Sequence, residues 1–155
     1  MAFEIERRFL IKNENWKKYI TKKIFIEQGY LSKSLDDWII RIRFTGKDFK
    51  IALKKHIKSF TNFEFEYPIP RRDGEKIMSN LSNIIKKERF FLEVEKKSWI
   101  IDCFKENNYP LEIAEIELSK EDENFSLPSF ISKEITGIKH YSNFSLANKP
   151  FSEWC

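Results

Sequence analysis

Apolar and polar side chains alternate with a period of two along much of this chain, a pattern that predicts strands. Over residues 3–9, Phe3, Ile5 and Phe9 share one face with Arg7, and Glu4, Glu6 and Arg8 share the other. Residues 38–44 set Arg41 and Arg43 opposite Ile40, Ile42 and Phe44, and residues 48–54 bring Lys50 and Lys54 to one side. Residues 63–67 alternate Phe63, Phe65 and Tyr67 with Glu64 and Glu66. Further strands are expected over 87–95, over 98–104 with Asp102 inside an apolar run, and over 113–118, where Glu115 and Glu117 repeat the spacing of Glu4 and Glu6.

Helical periodicity is rarer. Asn13 is placed to cap a helix over 13–23, with Trp16, Tyr19 and Ile20 at helical spacing. Asp73 is placed to cap another over 73–86, with Ile77, Leu81, Ile84 and Ile85 on one side. Pro128 suits the first turn of a short helix near 129–132. Pro68, Pro70 and Asp73-Gly74 mark a strand end and a turn, and residues 107–110 read as a hairpin loop. The aromatic segment 140–155 is expected to pack as a last strand and helix. No linker, low-complexity stretch or repeat breaks the pattern, so residues 1–155 read as one α+β domain, mostly antiparallel strand.

Composition agrees with a packed domain. The 15 Phe against 4 Gly favour strands and an aromatic core. The 28 basic and 24 acidic residues leave a net charge of +4, too small and too mixed to point to nucleic acid. Residues 1–12 alternate charged and apolar side chains and do not read as a signal peptide, and no apolar run approaches the roughly 20 residues that cross a bilayer. The expected location is the cytoplasm, with neither membrane nor nucleic acid as partner. Cys103 and Cys155 form no CxxC and no disulfide framework.

The charges are informative through their pairing. Glu4/Glu6, Arg41/Arg43, Glu64/Glu66, Lys87/Arg89 and Glu115/Glu117 are each a like-charged pair on one strand face. One such pair suits a solvated outer face. Five together suit a shared inner surface, with acidic doublets facing basic ones. A sheet of about eight strands closes into a barrel just wide enough for side chains or a small ligand. Here charge would line the inside, and apolar faces would lie outside under the helices. A buried unpaired charge costs several kcal/mol, so the lumen must be wet or hold a ligand. The basic residues suggest a polyanion and the glutamates a hard cation, Mg²⁺ or Mn²⁺.

These residues resemble the CYTH domain proteins, or triphosphate tunnel metalloenzymes, and their short bacterial members in particular. Glu4-Ile5-Glu6-Arg7-Arg8-Phe9-Leu10 is similar to the family's ExExK signature. The likeness continues through Gln28-Gly29-Tyr30-Leu31, Arg41-Ile42-Arg43, Leu53-Lys54, Glu64-Phe65-Glu66-Tyr67 and Lys87-Glu88-Arg89-Phe90. It ends with Asp102-Cys103-Phe104, Leu111, Ala114-Glu115-Ile116-Glu117-Leu118, Glu134-Ile135-Thr136, Tyr141-Ser142-Asn143 and Leu146-Ala147. The resemblance implies a closed antiparallel eight-stranded β-barrel and metal-dependent hydrolysis of a triphosphate, inorganic tripolyphosphate above all. It implies metal ligation by Glu4, Glu6, Glu115, Glu117 and Glu134. It implies a phosphate cradle of Arg8, Arg41, Arg43, Lys54, Lys87 and Arg89, with Tyr30, Glu64 and Glu66 beside Arg8 at the reacting end. It leaves room for a homodimer.

Three positions depart from the family pattern. Arg8 stands where the signature ends in lysine, and an arginine cannot serve as a general base. Tyr109-Pro110-Leu111 replaces a Gly-Leu turn, and His140 replaces an arginine. His56 and His140 lack partners at ligand spacing and read as structural, Cys103 reads as core, and Trp16, Trp38, Trp99 and Trp154 read as packing. An adenylyl cyclase, a thiamine triphosphatase and a non-catalytic polyphosphate-binding module remain the rival functions.

Overall fold

The computed structural model describes residues 2–154. Its strands are β1 (Phe3–Ile11), β2 (Ile20–Tyr30), β3 (Ile39–Phe44), β4 (Phe49–Lys58), β5 (Thr61–Ile69), β6 (Ile84–Val94), β7 (Lys97–Phe104), β8 (Glu112–Glu117) and β9 (Ile131–Glu134). The helices are α1 (Arg71–Ser79) and α2 (Asn143–Asn148), and short 3-10 turns complete the chain. All pairings are antiparallel, in the order β5-β4-β3-β2-β6-β7-β8-β1-β9.

Strand β1 closes the sheet by dividing its length between neighbours. Phe3–Ile5 pair with Thr61–Phe63 of β5, while Glu6–Leu10 pair with Ile113–Glu117 of β8. Further along, Phe9 and Ile11 pair with Glu134 and Ile131 of β9. The result is the closed eight-stranded barrel expected from the charged doublets, with β9 laid on the end of one strand.

Outside the barrel, Phe9, Leu92, Trp99, Ile101, Ala114 and Ile116 form an apolar layer with Trp16 and Phe130. That layer is covered by the 3-10 turn Asn15–Tyr19 and by the loop carrying Phe125 and Phe130, not by long helices. Helix α1 packs on β4 through Gly74, where an added Cβ would collide with the Phe49 ring. Helix α2, its N-terminus capped by the Ser142 hydroxyl, seals one end of the barrel over Ile85, Phe104 and Ile113. Among the described residues no helix is long and apolar enough to cross a membrane.

Four local expectations are corrected. The helix expected over 13–23 stops at Tyr19, and Ile20, Thr21, Ile24 and Ile26 continue as β2, as suits β-branched residues. Asn13 is not its cap: Glu14 stands at the N-cap, and the Asn13 side-chain oxygen accepts from the Asn15 amide in the turn just before. The helix over 73–86 shrinks to α1, with Pro70 rather than Asp73 at its N-cap, and Ile84 and Ile85 open β6. The helix near 129–132 is a turn closed by the Ile131 amide on the Pro128 carbonyl, leading into β9. The described part of the 140–155 segment holds α2 and 3-10 turns but no strand.

Candidate functional site

Residues directly opposite on antiparallel strands point to the same side of the sheet, so the registers trace one inner surface. From β1 it runs Arg8 to Glu115 and Glu6 to Glu117 on β8. Asp102 on β7 faces Arg89 on β6, and Phe104 faces Lys87. Gln28 and Tyr30 of β2 face Arg43 and Arg41 of β3. On the remaining wall Lys54 faces Glu64, Ala52 faces Glu66, and Asn62 faces Glu4. All five doublets therefore lie inside. A cavity of about 530 Å³ opens beside Glu6, Arg8 and Lys54, with Leu35, Asp36 and Phe60 at its rim. That volume suits a small ligand.

The lumen has a cationic wall and a carboxylate wall. On the cationic side Arg43 Nε donates to Gln28 Oε1 at 3.0 Å, and Gln28 Nε2 donates to the Tyr30 hydroxyl at 2.8 Å. Burial, then Arg41 and Arg89, push the Arg43 guanidinium down from its usual range. Burial lifts the Tyr30 phenol, against the lowering pull of Arg41, Arg43 and Lys54. Arg41 reaches Glu66 at 3.1 Å, yet its buried Nε has no hydrogen-bond partner.

On the other wall, burial, then Glu115 and Glu4, raise the Glu6 carboxyl to about 7. Among the described residues Glu6 makes no ion pair within 4.0 Å. Burial likewise raises Glu4 despite Lys54 at 2.5 Å, and raises Glu117 at the rim. Buried Glu64 Oε2 has no hydrogen-bond partner, its Lys54 contact being 3.5 Å away. Burial works against the Lys54 ammonium, but Glu4, Glu6 and Glu64 together hold it above its usual range. Carboxylates that repel one another, with unpaired oxygens and no thiolate or imidazole among them, match a hard divalent cation. Among the described residues no three acidic, His or Cys side chains converge tightly enough to enclose an ion by themselves. Such a cation would share its sphere with water or phosphate oxygens.

Arg8 Nη1 donates to the Tyr141 carbonyl at 3.0 Å, and its Nε lies 3.7 Å from Glu115. Lys87 is fully buried, its ammonium donating to Asp102 at 2.7 Å and Asn143 at 3.0 Å. Glu134 is not with the other glutamates. It sits opposite Phe9 on the outer face and binds Arg7 through both oxygens, at 2.6 and 2.8 Å. The metal role expected for it therefore lacks a geometric basis. His56 and His140 are both exposed, His140 packed on Tyr141 and Trp154. Cys103 lies on the outer face, with its thiol pushed up by burial and Glu112.

Two residues inside the site went unassigned in the sequence. Asp102 accepts from Arg89 Nε and Nη2 at 2.8 and 2.9 Å as well as from Lys87, and Gln28 links Arg43 to Tyr30. The signal for Asp102 was a lone acid inside an otherwise apolar strand. Gln28 lay in the Gln28-Gly29-Tyr30-Leu31 stretch of the family likeness but carried no comparable signal of its own.

No family model matches the chain. An inorganic triphosphatase of Acetivibrio thermocellus is 30% identical over 156 residues, spanning 99% of both chains. An inorganic triphosphatase of Nitrosomonas europaea is 26% identical over 93% of this chain and 96% of its own. A crystal structure of an inorganic triphosphatase superposes with a TM-score of 0.69, at 26% identity over 95% of each chain. By whole-length identity and by the closed barrel, this chain belongs to the inorganic triphosphatase family.

Proposed function

We propose that the chain hydrolyses inorganic tripolyphosphate to diphosphate and phosphate, with Mg²⁺ or Mn²⁺ bound on the carboxylate wall. The observation that carries this reading is the unsatisfied polarity of the lumen: Arg41 Nε and Glu64 Oε2 are buried without partners. Leaving such groups unpaired costs about 1–3 kcal/mol each, which a phosphate chain and its cation would recover. The tunnel and the Glu4-Ile5-Glu6 strand also support the narrower CYTH assignment.

In this reading Arg8, Arg41, Arg43, Lys54 and Arg89 hold the phosphate oxygens in line for attack. Such positioning and charge stabilisation make up most of phosphoryl-transfer catalysis. Glu4, Glu6, Glu115 and Glu117 hold the divalent cation, which when bound offsets charge on the phosphate oxygens. Arg8 cannot accept a proton. Glu64, with its unpartnered oxygen, takes the proton of the attacking water, and Glu66 fixes Arg41. Tyr30 holds the floor of the cradle through Gln28 and the Phe144 ring, 5.5 Å away.

Phosphate release is to be measured with tripolyphosphate, ATP and thiamine triphosphate, each with Mg²⁺, Mn²⁺ or chelator. Turnover of tripolyphosphate that vanishes with chelator is expected. Tripolyphosphate that binds without releasing phosphate would overturn the hydrolase reading, and cyclic AMP from ATP would replace it with a cyclase.

A further inference from the structure

Strand β4 carries a further nitrogen side chain beyond Lys54 on the inner face of the barrel. Ala52, Lys54 and His56 alternate onto that face, and His56 lies opposite Asn62 of β5, which lies opposite Glu4 of β1. The three side chains follow their register. His56 Nδ1 is 3.3 Å from Asn62 Oδ1, and Asn62 Nδ2 donates to Glu4 Oε1 at 3.5 Å. The ring lines the same cavity of about 530 Å³ as Glu6, Arg8 and Lys54. Two residues along a strand cover about 6–7 Å, and His56 is exposed where Lys54 is half-buried, so the ring stands at the mouth.

This row fixes which ring nitrogen is free. Glu4 Oε1 also accepts from the Lys54 ammonium, so the Asn62 NH₂ points to it. The Asn62 oxygen is then left for the imidazole, and an amide oxygen only accepts. Nδ1 therefore carries the hydrogen of that contact, and Nε2 is the open nitrogen. Among the described residues Nε2 has no hydrogen-bond partner and the ring joins no aromatic pair. Its neighbours at the mouth leave it free: Lys55 pairs with Asp37 at 3.6 Å, and Asp36 lines the rim without bonding to it. His140, the other of the two histidines, is packed against Tyr141 and Trp154. An oriented imidazole with one open nitrogen, in a cavity whose deeper wall is cationic, is placed to meet an anion. In the charged ring both nitrogens donate, so Nδ1 keeps Asn62 while Nε2 turns to a phosphate oxygen.

We propose that His56 is a substrate contact at the mouth of the lumen: held by Asn62, it donates from Nε2 to the outermost phosphate of the bound chain. The inference rests on the triphosphate-binding reading above and extends the cradle from Lys54 to the mouth.

The test is steady-state hydrolysis of tripolyphosphate by wild type, His56→Ala, His56→Gln and, as control, His140→Ala. A bond made on binding and kept through the reaction acts on KM and not on kcat. His56→Ala is therefore expected to raise KM roughly tenfold, as loss of one charge-assisted hydrogen bond does, with kcat within about threefold of wild type. His56→Gln keeps an N–H donor and should recover most of that loss, and His140→Ala should leave KM unchanged. An unchanged KM in His56→Ala would overturn the proposal. So would a glutamine variant no better than alanine, because donation would not be what the ring supplies. An equal rise in His140→Ala would overturn it too, as an effect not specific to the mouth. Both histidines are exposed, so all variants should unfold at the wild-type midpoint. Nitrogen NMR of wild-type protein in excess tripolyphosphate gives a reading without mutation: His56 Nε2 should shift and the His140 ring should not. A His56 signal unmoved by bound substrate would overturn the proposal. Wild type that neither binds nor hydrolyses tripolyphosphate would overturn the parent reading and this one together, whereas wild-type turnover with an indifferent His56→Ala would overturn this one alone.

Discussion

The two ends of the barrel use the same residue types to opposite effect. At the sealed end Lys87, Asp102 and Asn143 satisfy one another, and α2 closes over them. Around the open cavity Glu6 is crowded by like charges, and the buried atoms Arg41 Nε and Glu64 Oε2 have no hydrogen-bond partner. Both regions would read as charged doublets on strands. What separates scaffold from site is therefore not charge but whether the hydrogen-bonding capacity of the charged groups is already satisfied. A paired buried charge rigidifies, whereas an unpaired one is costly enough to define what must bind.

The largest effect should come from the open end. Glu115→Gln removes a carboxylate that stands between Arg8, Arg89 and Glu6. Hydrolysis should fall by about 10²-fold or more, in the range of losing one key electrostatic group, and the metal needed for half-maximal activity should rise. Unchanged metal dependence would remove the carboxylate wall from the proposal. Arg41→Ala comes next, with KM for tripolyphosphate rising by roughly tenfold, the loss of one charge-assisted hydrogen bond. An unchanged KM would mean that the orphan Arg41 Nε is not waiting for phosphate.

The contrast can be sharpened through pH. Burial, then Arg89 and Arg43, lower the Lys87 amine to about 7 against the raising pull of Asp102 and Glu115. As pH rises through that value Lys87 loses its proton, the lumen loses one positive charge, and anion affinity falls. Asn143 faces it from α2 without titrating. In Lys87→Met that component of the pH slope should vanish, while the component from Glu6, also near 7, persists. Parallel profiles in wild type and variant would show that Lys87 does not titrate in this range.

Glu6 also yields a stability difference. Its folded value lies above the ordinary 4.5, so its contribution is fully present below about 4.5 and is lost as pH rises through about 7. Glu6→Gln has no such loss. In metal-free protein the variant and wild type should unfold at similar temperatures near pH 4, with the variant roughly 2–4 °C higher at pH 8, the shift that about 1 kcal/mol produces in a chain of this size. Equal temperatures at both pH values would mean that Glu6 is not destabilised in the empty barrel.

Much of this contrast was legible in the sequence. Alternation on β1, β3, β5, β6 and β8 exposed the doublets, and five like-charged faces demanded a common interior. The strand β2 was hidden because Trp16, Tyr19 and Ile20 imitate helical spacing, and only barrel pairing with β6 overrides it. The pairing of Lys87 with Asp102 was not legible either, because it joins neighbouring strands whose register the sequence does not display. Periodicity tells which face a residue takes, but not whether its charge finds a partner there.

Glu134 is where the resemblance and the geometry part, and it carries the smallest predicted effect. The resemblance makes it a metal ligand, whereas the structure gives both its oxygens to Arg7 on the outer face, with Thr136 donating to one of them. The side chains of the pair are about one-third exposed, at 31% and 36%. Arg7 is held in addition by the Phe9, Phe60 and Phe125 rings within 6 Å of its guanidinium. An ion pair this accessible contributes about 0–1 kcal/mol. Glu134→Gln should therefore cost at most about 1 kcal/mol of stability, leave kcat/KM within about twofold, and leave the metal requirement unchanged, since no lumen group loses a partner. A rise in the metal concentration needed for activity would show that β9 turns inward when substrate binds, and that pairing in the empty barrel does not by itself mark a residue as scaffold.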